Sequence, residues 1–294
     1  MAAFTLARSM PPATSSGRGF VSRLRNRSRG AYPRPNTGVM WARLGCRLRG
    51  EKLFPWSNLC AAIRIVVVMS TGAQPAAILF DIDGTLIDTG GAGAAAWRLA
   101  FQELYGVPAD IGRFTEAGMT DPDVGRKTFV GVLGREPERK EFARLLERRL
   151  YYLHQTVAES TGYRVLPGVL ELLPKLLEDG YLTGLITGNV EAAAHIKLHR
   201  ANLNRFFSFG GYGSDSNDRG EVARTALRRA SVVYGEDLSP GQAIAVGDTP
   251  RDAVAAHAAG MKCVGVASGH YDERQLRDGG ADWAIGSLEE PFPP

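Results

Sequence analysis

The chain has 294 residues, of which 44% are hydrophobic and 22% charged, enough to fill a sizeable core. The formal charge of +4 is unevenly spread: 12 basic residues and one acid, Glu51, precede Met69, and the rest of the chain carries 23 basic and 30 acidic residues, a net of −7. That acidic remainder excludes a nucleic-acid-binding face as its main business, and the isolated cysteines (Cys46, Cys60, Cys263), with no metal-type spacing, exclude a disulfide scaffold and read as free thiols in a reducing compartment.

Residues 1–58 are rich in Arg, Ser, Gly and Pro and poor in acids, so they cannot bury enough apolar surface to fold alone, and residues 1–68 read as a disordered basic leader. Three readings fit them: an organelle transit peptide, a basic tail that touches anionic partners, or a segment outside the natural protein, with translation starting at Met69. We favour the last, which leaves a polar leader directly before the first strand. Leu59 to Met69 is apolar, but Arg64 interrupts it and it falls short of the ~20 residues of a membrane span. The expectation is a cytoplasmic protein that does not enter a membrane, with organelle import as the lesser alternative.

Ala77-Ile78-Leu79-Phe80 is a short branched and aromatic run, the pattern of a strand buried on both faces of a parallel sheet. It ends in Asp81-Ile82-Asp83-Gly84-Thr85, where a ligand site is expected in an open α/β sheet. Alternation along an extended segment lets Asp81 and Asp83 aim at one volume. Two such carboxylates repel unless a cation or a proton intervenes. After a glycine-rich joint at 90–93, the spacing predicts helices over 94–105, from about Asp121 to Leu133, and over 137–159. Thr120 or Asp121 is placed to cap the second of these. Residues 91–165 therefore read as a helical insertion in an α/β domain formed by residues 69–90 and 166–294.

Leu166-Pro167-Gly168 is a breaker, and Val169 to Asp179 shows one apolar helical stripe, with Pro174 expected to kink it. Tyr181 to Ile186 is a second short strand, ending in Thr187-Gly188-Asn189 before a helix from Val190, a junction that offers a hydroxyl and backbone N–H groups to an anion. His195 and His199 stand at i, i+4 on that helix, but no third ligand is apparent, and surface histidines are the better reading. Residues 206–213 pass through a short strand, and Ser214 to Gly220 leads into another amphipathic helix. Gln242 to Val246 is a third buried strand, followed by Gly247-Asp248-Thr249-Pro250-Arg251-Asp252 and a helix over 251–259. Asp252 on that first turn also suits the helix dipole. Lys262 to Val266 and Asp282 to Ile285 complete the strands, with a short helix over 271–278 between them. His270 follows a strand near the same edge. No internal repeat is present.

Asp-x-Asp-Gly-Thr, Thr-Gly after the second strand, a basic residue before the next helix, and Gly-Asp with a second Asp four residues on resemble, in order, the four motifs of the haloacid dehalogenase-like hydrolases. The resemblance spans nearly all of residues 76–290. It implies a Rossmann-like parallel sheet with a small α-helical cap inserted after the first strand. It also implies Mg²⁺-dependent hydrolysis of a small phosphate monoester through an aspartyl-phosphate. Asp81 is then the nucleophile and Asp83 the general acid and base, while Asp81, Asp83 (through its carbonyl) and Asp248 hold the metal. Thr187, Gly188 and Asn189 bind the phosphate, and Asp252 plays a supporting part. The third motif commonly shows Lys. None is present here, and Arg219 is the candidate, with Arg224 in reserve. Gly-x-Thr-Asp-Pro at 118–122 resembles a cap loop of the phosphoglycolate-phosphatase-like branch, which makes Thr120, Asp121 and Arg126 candidate substrate contacts. Helix capping and surface exposure explain the same three residues.

An acid at Asp83 favours phosphatase over dehalogenase chemistry. A phosphosugar mutase of the same fold is the nearest enzymatic alternative, and a non-catalytic phosphate-binding module is the alternative of another class. A phosphonatase would need a cap lysine, and neither Lys127 nor Lys140 sits in a recognisable context. The implied partner is a small phosphorylated metabolite, with phosphoglycolate the first guess, and not a nucleic acid or a membrane; the protein is expected to be a monomer or homodimer.

Overall fold

The computed structural model describes residues 76–293; the basic leader, the Met69 start, Cys46 and Cys60 lie outside them. Six strands form one parallel sheet: β1 (Ala77–Phe80), β4 (Leu182–Thr187), β5 (Gly210–Tyr212), β6 (Ala243–Gly247), β7 (Lys262–Val266) and β8 (Trp283–Ile285), in the order β5-β4-β1-β6-β7-β8. β1 is central because it is buried end to end, and it pairs in register with both neighbours: Phe80 stands opposite Leu185 and Val246. The chain order reverses on either side of β1, which opens a crevice at the carboxyl ends of β4, β1 and β6.

Alternation along β1 divides the core. Ile78 and Phe80 face one layer, with Leu172, Leu173 and Leu176 of α4 (Val169–Glu178) and Ala194 and Leu198 of α5 (Glu191–His199). Ala77 and Leu79 face the other, with Val222, Ala223 and Ala226 of α6 (Arg219–Tyr234) and Ala253 and Ala256 of α7 (Pro250–Ala258). The small residues on that second face let two helices approach closely. α4 runs through Pro174, and α8 (Glu273–Asp278) is a single capped turn or two before β8.

The helical insertion comprises α1 (Ala92–Tyr105), α2 (Asp121–Leu133) and α3 (Arg139–Glu159), as the apolar spacing predicts. Trp97 and Phe101 of α1, Phe129 of α2 and Leu145 of α3 form its own core. A second contact, Ala92 and Ala96 with Leu153, Val157 and Ala193, packs this bundle on α5. The chain leaves and re-enters the sheet through an antiparallel ribbon of β2 (Ile87–Asp88) and β3 (Arg164–Val165), which the sequence reading did not anticipate. Strands of two residues are too short for a period to register.

Candidate active site

The site is built at three adjacent strand tips. Asp81 extends β1 by one residue, its N–H bonding the Val246 carbonyl at 2.8 Å. Thr187 ends β4, and Asp248 follows the last residue of β6. With Asp83, Asn189, Arg219, Lys197 and the loops at 117–119 and 268–270, they line a cavity of about 390 Å³. Two glycines permit this crowding. A Cβ on Gly84, whose φ is +80°, would lie 2.2 Å from Asp248 Oδ2, and one on Gly269 would lie 1.9 Å from the same atom.

One side of the cavity is a cluster of acids. Asp81, Asp248 and Asp252 are all buried, and each offers a carboxylate oxygen within 4.8 Å of the others. Burial, then the Asp252 charge, pushes Asp81 up to about 7 against the pull of Arg219. Burial, then Asp252 and Asp81, pushes Asp248 up to about 8. Asp81 Oδ1 is buried with no hydrogen-bond partner. Asp252, by contrast, is fully engaged: Oδ1 accepts from Arg219, and Oδ2 accepts from Thr249 N at 3.1 Å and Thr249 Oγ1 at 2.8 Å. Burial works against the Arg219 charge, but Asp252 and Asp81 outweigh it and the guanidinium stays firmly protonated.

The other side has one acid among donors. Asp83 Oδ2 accepts from Lys197 Nζ at 2.6 Å and from Asn189 Nδ2 at 2.8 Å. Burial works to raise this carboxyl, yet Lys197 and Asn189 prevail and hold it below the usual carboxylate range. Thr187 Oγ1 accepts from Asn189 N and Nδ2, which ties the strand end to the start of α5.

The family model for haloacid dehalogenase-like hydrolases matches residues 75–260. The chain belongs to this family. Among similar proteins, a phosphoglycolate phosphatase of Neisseria meningitidis is 32% identical over 224 residues, covering 74% of this chain and 92% of that protein. A phosphoglycolate phosphatase of Pseudomonas fluorescens is 29% identical, covering 76% and 80%. Solved structures with the same fold include a predicted phosphoglycolate phosphatase from Haemophilus somnus, with a TM-score of 0.59, 21% identity, and coverage of 73% of this chain and 95% of that one. A β-phosphoglucomutase from Clostridium difficile has a TM-score of 0.58, 21% identity, and coverage of 73% and 92%.

In this hydrolase, Asp81, Asp83, Thr187, Gly188, Asn189, Arg219 and Asp248 all line one cavity, with Asp252 directly beneath. The structure brings Arg219 to the cavity: its Nη1 would lie 3.0 Å from a Cβ on Gly188, and it bonds Asp252. Arg224 instead pairs with Glu221 and the Ala258 carbonyl on the outside of α6. Of the three insertion residues, the structure brings only Asp121 to the cavity wall, and both its oxygens are occupied, Oδ1 by Arg149 at 2.8 Å and Oδ2 by Val190 N at 2.9 Å. Thr120 is the buried N-cap of α2, accepting from Asp123 N. Arg126 pairs with Glu136 on the exposed face, away from the cavity. His195 bonds Asn204, whereas His270 lines the cavity.

The residue missed by sequence reasoning is Lys197. A signal existed. It stands on the stripe of α5 that also carries Ala193, Ala194 and Leu198, all buried, and a lysine in an apolar stripe needs a buried partner.

Proposed function

We propose that the protein is a Mg²⁺-dependent phosphatase that hydrolyses a small phosphate monoester through an aspartyl-phosphate on Asp81. The observation that carries this reading is the convergence of Asp81, Asp248 and Asp252 at the strand tips, with Asp81 Oδ1 buried and unpartnered. Three acids in one buried pocket with a single guanidinium leave negative charge uncompensated. An all-oxygen donor set suits a hard divalent cation, and Mg²⁺ typically takes one or two carboxylates and keeps water and phosphate ligands. Asp81 and Asp248, with the Asp83 carbonyl, are the residues that would hold it; Asp252 already spends both oxygens on Arg219 and Thr249. A bound cation supplies Lewis-acid polarisation of the phosphoryl group and offsets its repulsion from the nucleophile.

The protein's own residues divide the rest. The Asp81 carboxylate attacks phosphorus, an O–P bond forms, and the ester O–P bond breaks. Asp83 is ionised before the ester binds. The charge of a bound phosphate beside it raises its proton affinity, so it takes up a proton from solvent as the ester binds. It gives that proton to the leaving oxygen, then takes one from the water that attacks the aspartyl-phosphate and releases inorganic phosphate. Thr187, the Gly188 and Asn189 N–H groups and Arg219 hold the phosphoryl oxygens where charge accumulates. The N-terminus of α5 adds its dipole to that side. The helical bundle acts as a cap, since Ala117, Gly118 and Met119 form one wall of the cavity.

Relatives called phosphoglycolate phosphatases make a small acidic ester the first substrate to try. A panel of phosphorylated small acids and sugars ranks the substrates. The reaction itself is tested with a generic aryl phosphate and Mg²⁺, comparing wild type with Asp81→Asn. The proposal expects phosphate release that the variant loses; equal rates would remove Asp81 from the mechanism.

A further inference from the structure

Lys197 has no part in the chemistry described so far, yet its placement is costly. Its side chain is 6% exposed, and a buried ammonium is tolerated only where close acceptors replace water. Nζ finds two at 2.6 Å, Asp83 Oδ2 and Asn189 Oδ1. Asn189 Nδ2 closes the triangle on the same Asp83 oxygen at 2.8 Å. Asn189 is in turn fixed by Thr187 Oγ1, a fully buried atom group at the end of β4. Asp83 Oδ2 thus receives two donors, while Oδ1 receives none from the described residues. The carboxylate of an aspartate turns easily about its last torsion, where the wells are broad. A single amide donor leaves that rotation loose, whereas a donor pair bridged to a rigid strand end stops it.

We propose that Lys197 is a positioning residue that locks Oδ2 of Asp83 and so presents Oδ1 to the leaving-group oxygen of the ester. The inference rests on Asp83 being the general acid of the proposed phosphatase. Misplacing an acid by about 1 Å can cost about 10²-fold, so the effect of losing the lock is measurable. It is selective as well, because a good leaving group departs without a proton and a poor one does not.

The experiment uses the full chain with Mg²⁺ and a series of substituted phenyl phosphates of similar shape and graded leaving-group acidity. kcat/KM reports the step in which the ester bond breaks. For Lys197→Met, it is expected to fall about 100-fold with unsubstituted phenyl phosphate and less than about 10-fold with the most acidic phenol, steepening the leaving-group dependence. Lys197→Gln keeps a donor without the charge and should give an intermediate slope. In an Asp83→Asn background, Lys197→Met should cost almost nothing further, since the lysine acts through that acid. A uniform loss across the series, as from a structural role or direct substrate binding, would overturn the proposal, and so would full additivity with Asp83→Asn. Those results leave the phosphatase reading standing as long as wild type is active and Asp81→Asn is not. Inactivity of wild type, or activity of Asp81→Asn, would instead strike that reading first. A thermal melt of each variant shows that the folded protein is being compared.

Discussion

Asp81 and Asp83 are two residues apart and of the same chemical type, yet they sit in opposite environments. Burial and the neighbouring Asp252 raise the Asp81 carboxyl to about 7. Asp83 is held by Lys197 and Asn189, and its carboxyl falls. The strand tip therefore splits the cavity into an acid side with one guanidinium for three carboxylates and a donor side that supplies its own counter-charge. In the proposed mechanism the nucleophile and the cation site fall on the first, and the acid that must point accurately falls on the second.

Asp248→Asn removes one of the two carboxylates of the acid side that make no ion pair with Arg219. It is expected to lower kcat/KM by about 10³-fold or more and to weaken Mg²⁺ activation, both read from phosphate release against Mg²⁺ concentration. On the donor side, Asp121→Asn leaves the fully buried Arg149 without its anion. It should cost about 3–5 kcal/mol of stability in a denaturant titration, and it also loosens the Val190 contact beside Asn189. Gly269→Ala puts a methyl group where Asp248 Oδ2 now lies, so it should lower activity about 10- to 100-fold while the melting temperature changes little.

A smaller effect follows from titration. In the folded chain without a cation, Asp81 and Asp248 take up protons near 7 and 8, well above the unfolded value of about 3.9. The folded state then binds more protons than the unfolded state across that window, so stability falls as pH rises from about 4 to about 8. A cation at the cluster relieves this. Mg²⁺ should raise the melting temperature by several degrees at about pH 8 and hardly at all at about pH 5.5. At the far end of the scale, Arg126→Ala should leave kinetics unchanged, because its partner is the exposed Glu136.

The strand-tip residues were legible in the sequence because Asp81 and Asp248 each follow an apolar strand and Thr187 ends one, and strands of four to six residues put their ends in one plane. Arg219 was legible by its place at the start of α6, even without the usual lysine. The donor side was only half visible. Asn189 lies next to Thr187 in sequence, but Lys197 reaches Asp83 across 114 positions, through the packing of α5 on the sheet. The same limit applies to the helical insertion. Its helices show in the apolar period, but the direction of each surface side chain is decided by how the bundle docks. Thr120 therefore turned out to be a cap and Arg126 an outward ion pair, while Asp121 became a strut between α3 and the start of α5.

The central claim, that Asp81 receives the phosphoryl group, is tested most directly in the Asp83→Asn variant. An aryl phosphate with a good leaving group needs no acid to phosphorylate the enzyme, but the intermediate then lacks its base and should persist. With Mg²⁺ and labelled substrate, rapid quenching and peptide mapping are expected to find the phosphoryl label on the peptide that contains Asp81. Release of the phenol with no label on the protein, or with the label on another residue, would contradict the account.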